Sequence, residues 1–316
     1  MTNATVSPDA SVAAAIAADY LGNPPVRVER FSTGIAHWVY DVEGLGDLRV
    51  VVKLGRPEQA EDFAGAVHWT HALRPIGVPL PTLLASGTWD AFPFVVLERL
   101  PGTDLGAVFS SLTRAERLHI SGQVWQIQDL VRRSLAHGRT FGFLRTPDTK
   151  GRDSWAGVIE DSLRRSELRL EQAGHGRPGA VARLTKCAHS LDAYFARVQP
   201  VPFLDDLTTK NVLVHNGSFA GVVDVDWVCH GDPLLVVALT RAALLSGGHE
   251  TSYADQWCHF LQVDPEQQAA LQFYTALFFL DFLSEIDQPL NREPAKPRSS
   301  TWDRLEVMLN DAVNRC

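Results

Sequence analysis

The sequence predicts an α+β fold in which a small antiparallel sheet with one main helix comes first and a larger, mostly helical part follows. Three observations carry this expectation. Val26 to Val52 is rich in β-branched and aromatic residues broken by glycines, the pattern of short antiparallel strands, and Leu80 to Leu97 repeats it. From Ser110 onward most segments read as helices. One hairpin interrupts them: Asn211 to Val214 and Phe219 to Val225 are short and apolar, and they flank His215-Asn216-Gly217-Ser218. Asn-Gly between two such runs is the strongest short-range hairpin signal. At 316 residues the chain is long enough for two lobes and a sizeable core.

The elements follow in order. Ser11 to Tyr20 reads as a short helix, and three strands occupy Val26 to Val52 around a first turn, Phe31-Ser32-Thr33-Gly34-Ile35-Ala36-His37. Glu58 to Leu73 is an amphipathic helix, and Leu80 to Leu97 supplies two further strands. Ser110 to Leu135 is a helix whose Thr113-Arg114-Ala115-Glu116 forms a capping box. Arg139 to Lys150 reads as a loop and Ser154 to Gln172 as a helix. Gly174 to Gly179 breaks the pattern before a helix over Val181 to Val198. After the hairpin come helices at Leu234–Leu245, Ser252–Leu261 and Pro265–Ile286. Pro289 to Arg298 is proline-rich and reads as a surface crossing before a last helix, Trp302 to Asn314.

Composition narrows the partners. With 45% hydrophobic and 21% charged residues, a net charge of −8 and a pI near 5.7, the chain is a poor match for nucleic acid. It has no basic patch suited to a membrane surface. Val12 to Ala18 is apolar but bracketed by Asp9 and Asp19 with no basic residue before it, unlike a signal peptide. Leu234 to Leu245 is short and carries Arg241, and no stretch is long enough to span a bilayer. Cys187, Cys229, Cys258 and Cys316 show no paired spacing, so a reduced, cytoplasmic setting without disulfides or zinc is expected. Oligomeric state is left open.

The hairpin concentrates the chemistry. With Asn216 and Gly217 as the loop residues, His215 pairs with Ser218 and Asn211 with Val222, which sets Asp224 diagonal to Asn211 on one face. Diagonal neighbours lie roughly 7–8 Å apart, close enough for an amide oxygen and a carboxylate to share one ion. Asp206 arrives from the loop before the first strand. Such hard oxygens suit Mg²⁺ that also holds phosphates.

Asp206, four residues, Asn211, then Asp224 on the next strand resembles the catalytic loop and metal-binding aspartate of kinase-fold enzymes. Gly231-Asp232-Pro233, Gly77-Val78-Pro79-Leu80-Pro81 and Glu98-Arg99-Leu100-Pro101-Gly102 resemble, more specifically, the aminoglycoside phosphotransferase and choline kinase-like family, in the right order over nearly the whole chain. The resemblance implies a bilobal protein-kinase-like fold, with a nucleotide-binding lobe over residues 1–100 and a catalytic, acceptor-binding lobe over residues 101–316. It implies transfer of the γ-phosphoryl group of ATP, or of GTP, to a hydroxyl of a small molecule. Asp206 would orient and deprotonate that hydroxyl, Asn211 and Asp224 would hold Mg²⁺, and Lys53 would hold the phosphates. Lys53 and Lys210 are the two of only five lysines that fall in motif positions. The turn containing Ser32 and Gly34 would cover the phosphates, and the backbone of Glu98 to Leu100 would bind the adenine edge.

Several positions depart from the family pattern or stay open. The helix Glu58–Leu73 lacks an acid at its middle, which reads Ala64-Gly65-Ala66-Val67, so Glu61 is the candidate partner for Lys53. Leu204 stands where the family usually has a histidine that braces the catalytic loop. These departures support an alternative, a catalytically impaired kinase-like nucleotide-binding protein. Asp226 reads either as a solvated charge or as a metal ligand, and Lys210 either as a phosphate contact or as a solvated charge. Asp232 reads as a buried structural carboxylate tying down the catalytic loop. Between Ala242 and Asn291 there are seven acids, Asp287 among them, and no Lys or Arg. That balance favours an aminoglycoside-like or other amine-bearing acceptor, with Asp281 and Glu285 four apart on one helical face.

Overall fold

The computed structural model describes residues 8–32, 36–46, 48–286 and 300–315. Helix α1 (Ala10–Leu21) starts where the Asp9 carboxylate accepts the Ser11 N–H at 2.8 Å, and stops at Gly22, whose φ is +73°. Its Ala13, Ile16 and Ala17 pack on a sheet built from β1 (Arg27–Arg30), β2 (Trp38–Glu43), β3 (Arg49–Leu54), β4 (Leu83–Trp89) and β5 (Phe92–Glu98). The strand order is β1-β2-β3-β5-β4, antiparallel throughout, so β3 is central and Lys53 lies between Val39 and Val95. Helix α2 (Ala60–Leu73) follows β3 after a 3₁₀ turn, Pro57–Gln59. Gly34 lies outside the described residues.

A two-strand pairing carries the chain onward. Strand β6 (Thr103–Asp104) pairs with β9 (Val212–His215) rather than with the larger sheet. Gly102 makes this possible, because a Cβ there would stand 2.2 Å from the Val214 carbonyl oxygen and its φ is +96°. Helices α3 (Leu105–Val108) and α4 (Arg114–Ser134) come next, and the Thr113–Glu116 capping box opens α4 as expected. The segment 139–150, expected as a loop, contributes β7 (Gly142–Leu144). Then come α5 (Trp155–Gln172) and α6 (Pro178–Ser190), with the short α7 (Asp192–Phe195) where one continuous helix was expected.

Strand β8 (Val201–Phe203) leads to the hairpin of β9 and β10 (Ser218–Val222). Strand β11 (Val228–Gly231) then sits between β7 and β8 in a separate small sheet. Helices α8 (Leu234–Ser246), α9 (Ser252–Leu261), α10 (Pro265–Glu285) and α11 (Ser300–Val313) complete the fold. The proline-rich 289–298 segment and Asp287 lie outside the described residues. Among the described residues, no helix is long and apolar enough to cross a membrane.

Two hydrophobic cores divide the chain into lobes: one between α1 and the five-stranded sheet, one among the helices that follow. Helix α2 packs its C-terminal half into the larger core. Phe63 faces the sheet side, stacking edge-on with His37, while Trp69 and Leu73 sit in the larger core. The Trp69 indole also donates a 2.8 Å hydrogen bond to the Leu144 carbonyl.

The Asp232 carboxylate is only 6% exposed. It accepts the Tyr194 hydroxyl at 2.6 Å, the Tyr274 hydroxyl at 2.9 Å and the Leu234 N–H at 3.0 Å. Trp155 donates to the Tyr274 oxygen at 2.7 Å, extending the network. The expectation that Asp232 ties down the catalytic loop is therefore corrected. Two residues ahead of Leu234, it caps the first turn of α8 and is held by tyrosines on α7 and α10.

Candidate active site

The hairpin turn forms as expected: Asn216 and Gly217 have φ of 50° and 75°, and His215 pairs with Ser218. Further along, the register shifts. A bulge between Phe219 and Gly221 puts Val222 opposite Val212, not opposite Asn211, and the strand ends there. Close packing accompanies it, since a Cβ at Gly221 would stand 2.7 Å from the Pro79 carbonyl oxygen. Asp224 thus lies beyond the strand, in the left-handed region at φ 65°, and strand parity does not aim it. What ties it to Asn211 is a backbone bond: the Asn211 carbonyl accepts the Val223 N–H at 2.9 Å.

Lys53 and Asp224 meet across the two lobes. The Lys53 ammonium donates to Asp224 Oδ1 at 2.5 Å and to both oxygens of Asp226, at 2.8 and 3.0 Å. Burial pushes the Lys53 pKa down, but the two carboxylates more than reverse this and hold it above its usual value. Lys53 in turn holds the Asp224 carboxyl below the ordinary range, outweighing burial. Burial raises Asp226 to about 6 in spite of Lys53. The two acids differ in access: the Asp224 side chain is 46% exposed, that of Asp226 only 12%.

Helix α2 does not supply the lysine's partner. Glu61 is 82% exposed and lies 3.4 Å from Arg145, which also donates to Asp62 at 2.6 Å. The expected Glu61–Lys53 pair is therefore corrected to Asp224 and Asp226. The geometry of α2 explains why position 65 carries no side chain. A Cβ on Gly65 would stand 2.3 Å from the Asp226 carbonyl oxygen, so the Asp226 backbone occupies the space where a side chain would begin.

His37, at the end of the first turn, is 8% exposed and close to both acids. Gln59 Oε1 accepts the Arg56 N–H at 2.8 Å, so its amide nitrogen donates to His37 Nε2 at 3.2 Å. His37 therefore carries its proton on Nδ1. Burial and the Lys53 charge push its pKa down to about 3, keeping it neutral. Atoms of His37, Asp224 and Asp226 that could ligate a metal lie within 4.8 Å of one another, but the Lys53 ammonium already bonds both carboxylates.

The catalytic-loop candidates separate clearly. Asp206 is exposed, and its Oδ1 accepts the Thr208 hydroxyl at 3.0 Å. Surrounding protein pushes its carboxyl pKa upward, and the nearby Asp224 charge adds to the effect. Asp205 turns away: its Oδ2 accepts the Trp227 indole N–H at 2.9 Å, and burial with the Asp206 charge pushes it up to about 8. Asn211, 9% exposed, donates from Nδ2 to the Asp206 carbonyl at 3.1 Å, which leaves its amide oxygen for another partner. That oxygen and the open Asp224 carboxylate are hard donors that fit Mg²⁺.

Leu204 has its own brace. The buried Gln128 side chain donates to the Leu204 carbonyl at 2.6 Å and accepts its N–H at 2.9 Å. Nothing in the sequence spacing marks Gln128, which is one polar residue in a helix of many.

Elsewhere the Glu98 carboxylate is engaged by Thr82, whose N–H donates at 3.0 Å and hydroxyl at 2.5 Å, and the Glu98 N–H donates to the Thr82 carbonyl at 2.9 Å. Leu100 packs against the Gly221 backbone, and Ser32 is exposed. Lys210 is exposed too. Asp281 accepts the Ser166 hydroxyl at 2.9 Å and lies 3.5 Å from Arg169 and 3.7 Å from Arg165. Glu285 lies 3.7 Å from Arg169. Asp281 and Glu285 are thus matched by arginines from α5, which lies outside residues 242–291. A cavity of about 40 Å³ lies between α2, β5 and the Asp224–Asp226 segment, lined by Lys53, Thr70, Leu80, Val95 and Leu97. A second, of about 310 Å³, lies away from Lys53 beside Tyr194 and Arg197.

The sequence profile of the phosphotransferase enzyme family matches residues 27–274, which takes in Lys53, Asp206, Asn211 and Asp224. The chain belongs to that family. This phosphotransferase is also similar in fold to solved structures at low identity. One is a variant of aminoglycoside 2′-phosphotransferase-IIIa in complex with GDP, 14% identical, TM-score 0.69, covering 97% of this chain and 98% of that one. Another is a thermostable mutant of aminoglycoside phosphotransferase APH(4)-Ia, 16% identical, TM-score 0.67, covering 96% of each chain. A fructosamine-3-kinase from Haemophilus somnus 129PT is 12% identical, TM-score 0.67, again covering 96% of each. No curated protein sequence matches the phosphotransferase. The family and these likenesses agree on a kinase-like fold and a small-molecule kinase.

Proposed function

We propose that this chain transfers the γ-phosphoryl group of ATP, with GTP as the alternative donor, to a hydroxyl of a small molecule. The observation that carries the reading is the meeting of Lys53 and Asp224 at 2.5 Å across the cleft, with the Asp206 carboxylate open beside them. Phosphoryl transfer needs positioning and charge neutralisation more than covalent help from the protein. Lys53 holds the nucleotide phosphates, and the backbone from Glu98 to Leu100 takes the base edge. Ser32 and Gly34 belong to the turn that covers the phosphates. We place the junction of the lobes at Leu100–Pro101, with nucleotide binding assigned to residues 1–100 and acceptor binding to residues 101–316.

Asp206 accepts the acceptor's hydroxyl proton. The freed oxygen bonds the γ-phosphorus as the bond to the nucleotide's bridging oxygen breaks, and the nucleoside diphosphate leaves. Crowding and the Asp224 charge make Asp206 a better proton acceptor than an ordinary aspartate. Asn211 and Asp224 would hold Mg²⁺, which when bound neutralises charge on the transferring phosphates. Both departures that favoured an impaired protein have physical substitutes, Gln128 for the bracing histidine and Asp226 for the helix acid.

Amine-bearing acceptors remain the first class to test, since two of the fold neighbours are aminoglycoside phosphotransferases. The α5–α10 wall is charge-balanced rather than anionic, however. Burial and Asp281 raise the Glu285 pKa, Arg169 and Arg165 oppose them, and the Asp206 charge is felt there as well. Neutral sugars and acceptors carrying a carboxylate therefore belong in the same panel. The test is the product mass after incubation with ATP, Mg²⁺ and a mixed acceptor library, with Asp206→Asn as control. A mass gain of one phosphoryl group that the variant abolishes supports the reading; its absence for every acceptor and both nucleotides overturns it.

A further inference from the structure

We infer that Asp226 is the permanent partner of Lys53, standing in for the absent acid on α2 and leaving Asp224 free to exchange the lysine for a metal ion. The inference rests on the proposed nucleotide-dependent function, and four observations lead to it. Lys53 donates to both oxygens of Asp226 but to only one of Asp224. The Asp226 side chain is 12% exposed and the Asp224 side chain 46%. The space at the middle of α2 is filled by the Asp226 carbonyl, 2.3 Å from where a Gly65 Cβ would lie. The remaining acids of α2, Glu61 and Asp62, are turned to Arg145.

Electrostatics sets the sequence of events. A divalent ion on Asp224 repels an ammonium 2.5 Å from the same carboxylate, so Lys53 must let go of Asp224 as the ion binds. A buried ammonium left without a carboxylate is strongly disfavoured. A kinase-like lobe ordinarily meets this need with an acid on the helix. Here the carboxylate comes from two residues beyond the metal-binding Asp224 itself, and Gly65 opens the room for it. Asp226 is thus a positioning residue: it acts on the nucleotide through Lys53 and is not a metal ligand.

A pair of double-mutant cycles tests this, with Asp226→Asn and Lys53→Met made singly and together in the full chain. The first cycle reads unfolding free energy without nucleotide, and the second reads ATP affinity by calorimetry in the presence of Mg²⁺. Asp226→Asn is expected to weaken ATP binding ~10-fold or more, the scale of one lost charge-assisted hydrogen bond, and to add little once Lys53 is gone. Its Mg²⁺ midpoint should match the wild type, whereas Asp224→Asn shifts it. Asp226→Glu should recover part of the affinity. Gly65→Ala, which displaces the Asp226 backbone, should reproduce the Asp226→Asn loss of affinity without touching either charge. Additive effects in either cycle, or a raised Mg²⁺ midpoint for Asp226→Asn, overturn the assignment. If the wild-type protein binds neither ATP nor GTP, the functional reading falls, and the unfolding cycle alone still decides whether Asp226 anchors Lys53.

Discussion

Gln128 and Leu204 are joined by a matched pair of hydrogen bonds, 2.6 Å from the side-chain amide to the carbonyl and 2.9 Å from the N–H to the amide oxygen. The pair pins the backbone two residues ahead of Asp206 to helix α4. Replacing Gln128 by Met keeps the volume and strands both backbone groups in the interior. Each stranded group costs about 1–3 kcal/mol. Gln128→Met should lower the Tm and cut kcat while leaving ATP affinity near the wild-type value; equal loss of kcat and ATP affinity would point to general unfolding instead.

Asp205 and Asp206 should respond in opposite ways to the same substitution. Asp206→Asn removes the proton acceptor, and a loss of about 10²–10⁴-fold in kcat is expected with the fold and ATP affinity preserved. Asp205→Asn keeps an acceptor for the Trp227 indole and replaces a carboxyl that is largely protonated at neutral pH. It should retain most activity. Single-turnover kinetics on both variants checks the assignment, and a dead Asp205→Asn beside a healthy Asp206→Asn means the loop register is wrong.

The same residue predicts a pH dependence of stability. Asp205 is raised from 3.8 to about 8 in the folded chain, so between those values the native state holds a proton that the unfolded state has lost. Stability from this group is complete below about pH 4 and declines as pH rises toward 8. Asp205→Asn removes that decline. The Tm difference, variant minus wild type, should therefore grow more positive from pH 5 to pH 8 (~3 pH units of scan); a flat difference contradicts the protonation state assigned here.

Helix α2 is fastened to the larger lobe by a buried bond and an exposed one, and they should not count equally. Trp69→Phe loses the 2.8 Å bond to Leu144 and orphans a buried carbonyl, with an expected cost of about 1–3 kcal/mol. Arg145→Ala breaks ion pairs on a side chain that is 39% exposed, where pairs contribute about 0–1 kcal/mol. Denaturant titration of the two variants should rank them in that order.

The tyrosines around Asp232 make a similar comparison possible. Tyr274 both donates to Asp232 and accepts from Trp155, whereas Tyr194 donates to Asp232 alone. Tyr274→Phe should therefore destabilise more than Tyr194→Phe, by about 1 kcal/mol or more. Thermal unfolding resolves the difference, and activity in the folded fraction should persist in both.

Much of this was legible in the chain because local signals and global fold agree. The Asn216-Gly217 turn, the Thr113–Glu116 capping box and the strand run ending in Lys53 each carry their own short-range pattern. The Asp226–Lys53 contact was not legible, because it spans 173 positions and depends on a strand that stops early. Strand parity failed at Asp224 since one bulged residue undoes a period of two. Asp281 and Glu285 looked unopposed only because their arginines lie on α5, far away in sequence. Gly65 was visible as a glycine inside a helix, a costly choice that signals close approach, but not what approaches.

That glycine also constrains the protein's history. A single-nucleotide change converts a glycine codon to one for aspartate or glutamate, so an acid at position 65 is genetically near at hand. It is sterically costly: any Cβ at position 65 would stand 2.3 Å from the Asp226 carbonyl oxygen, so the Asp226 backbone has to shift. An acid introduced at 65 displaces the segment around Asp226, and with it the partner that Lys53 now has. Substitutions at 65 and 226 should therefore be strongly epistatic in any deep mutational scan of the chain.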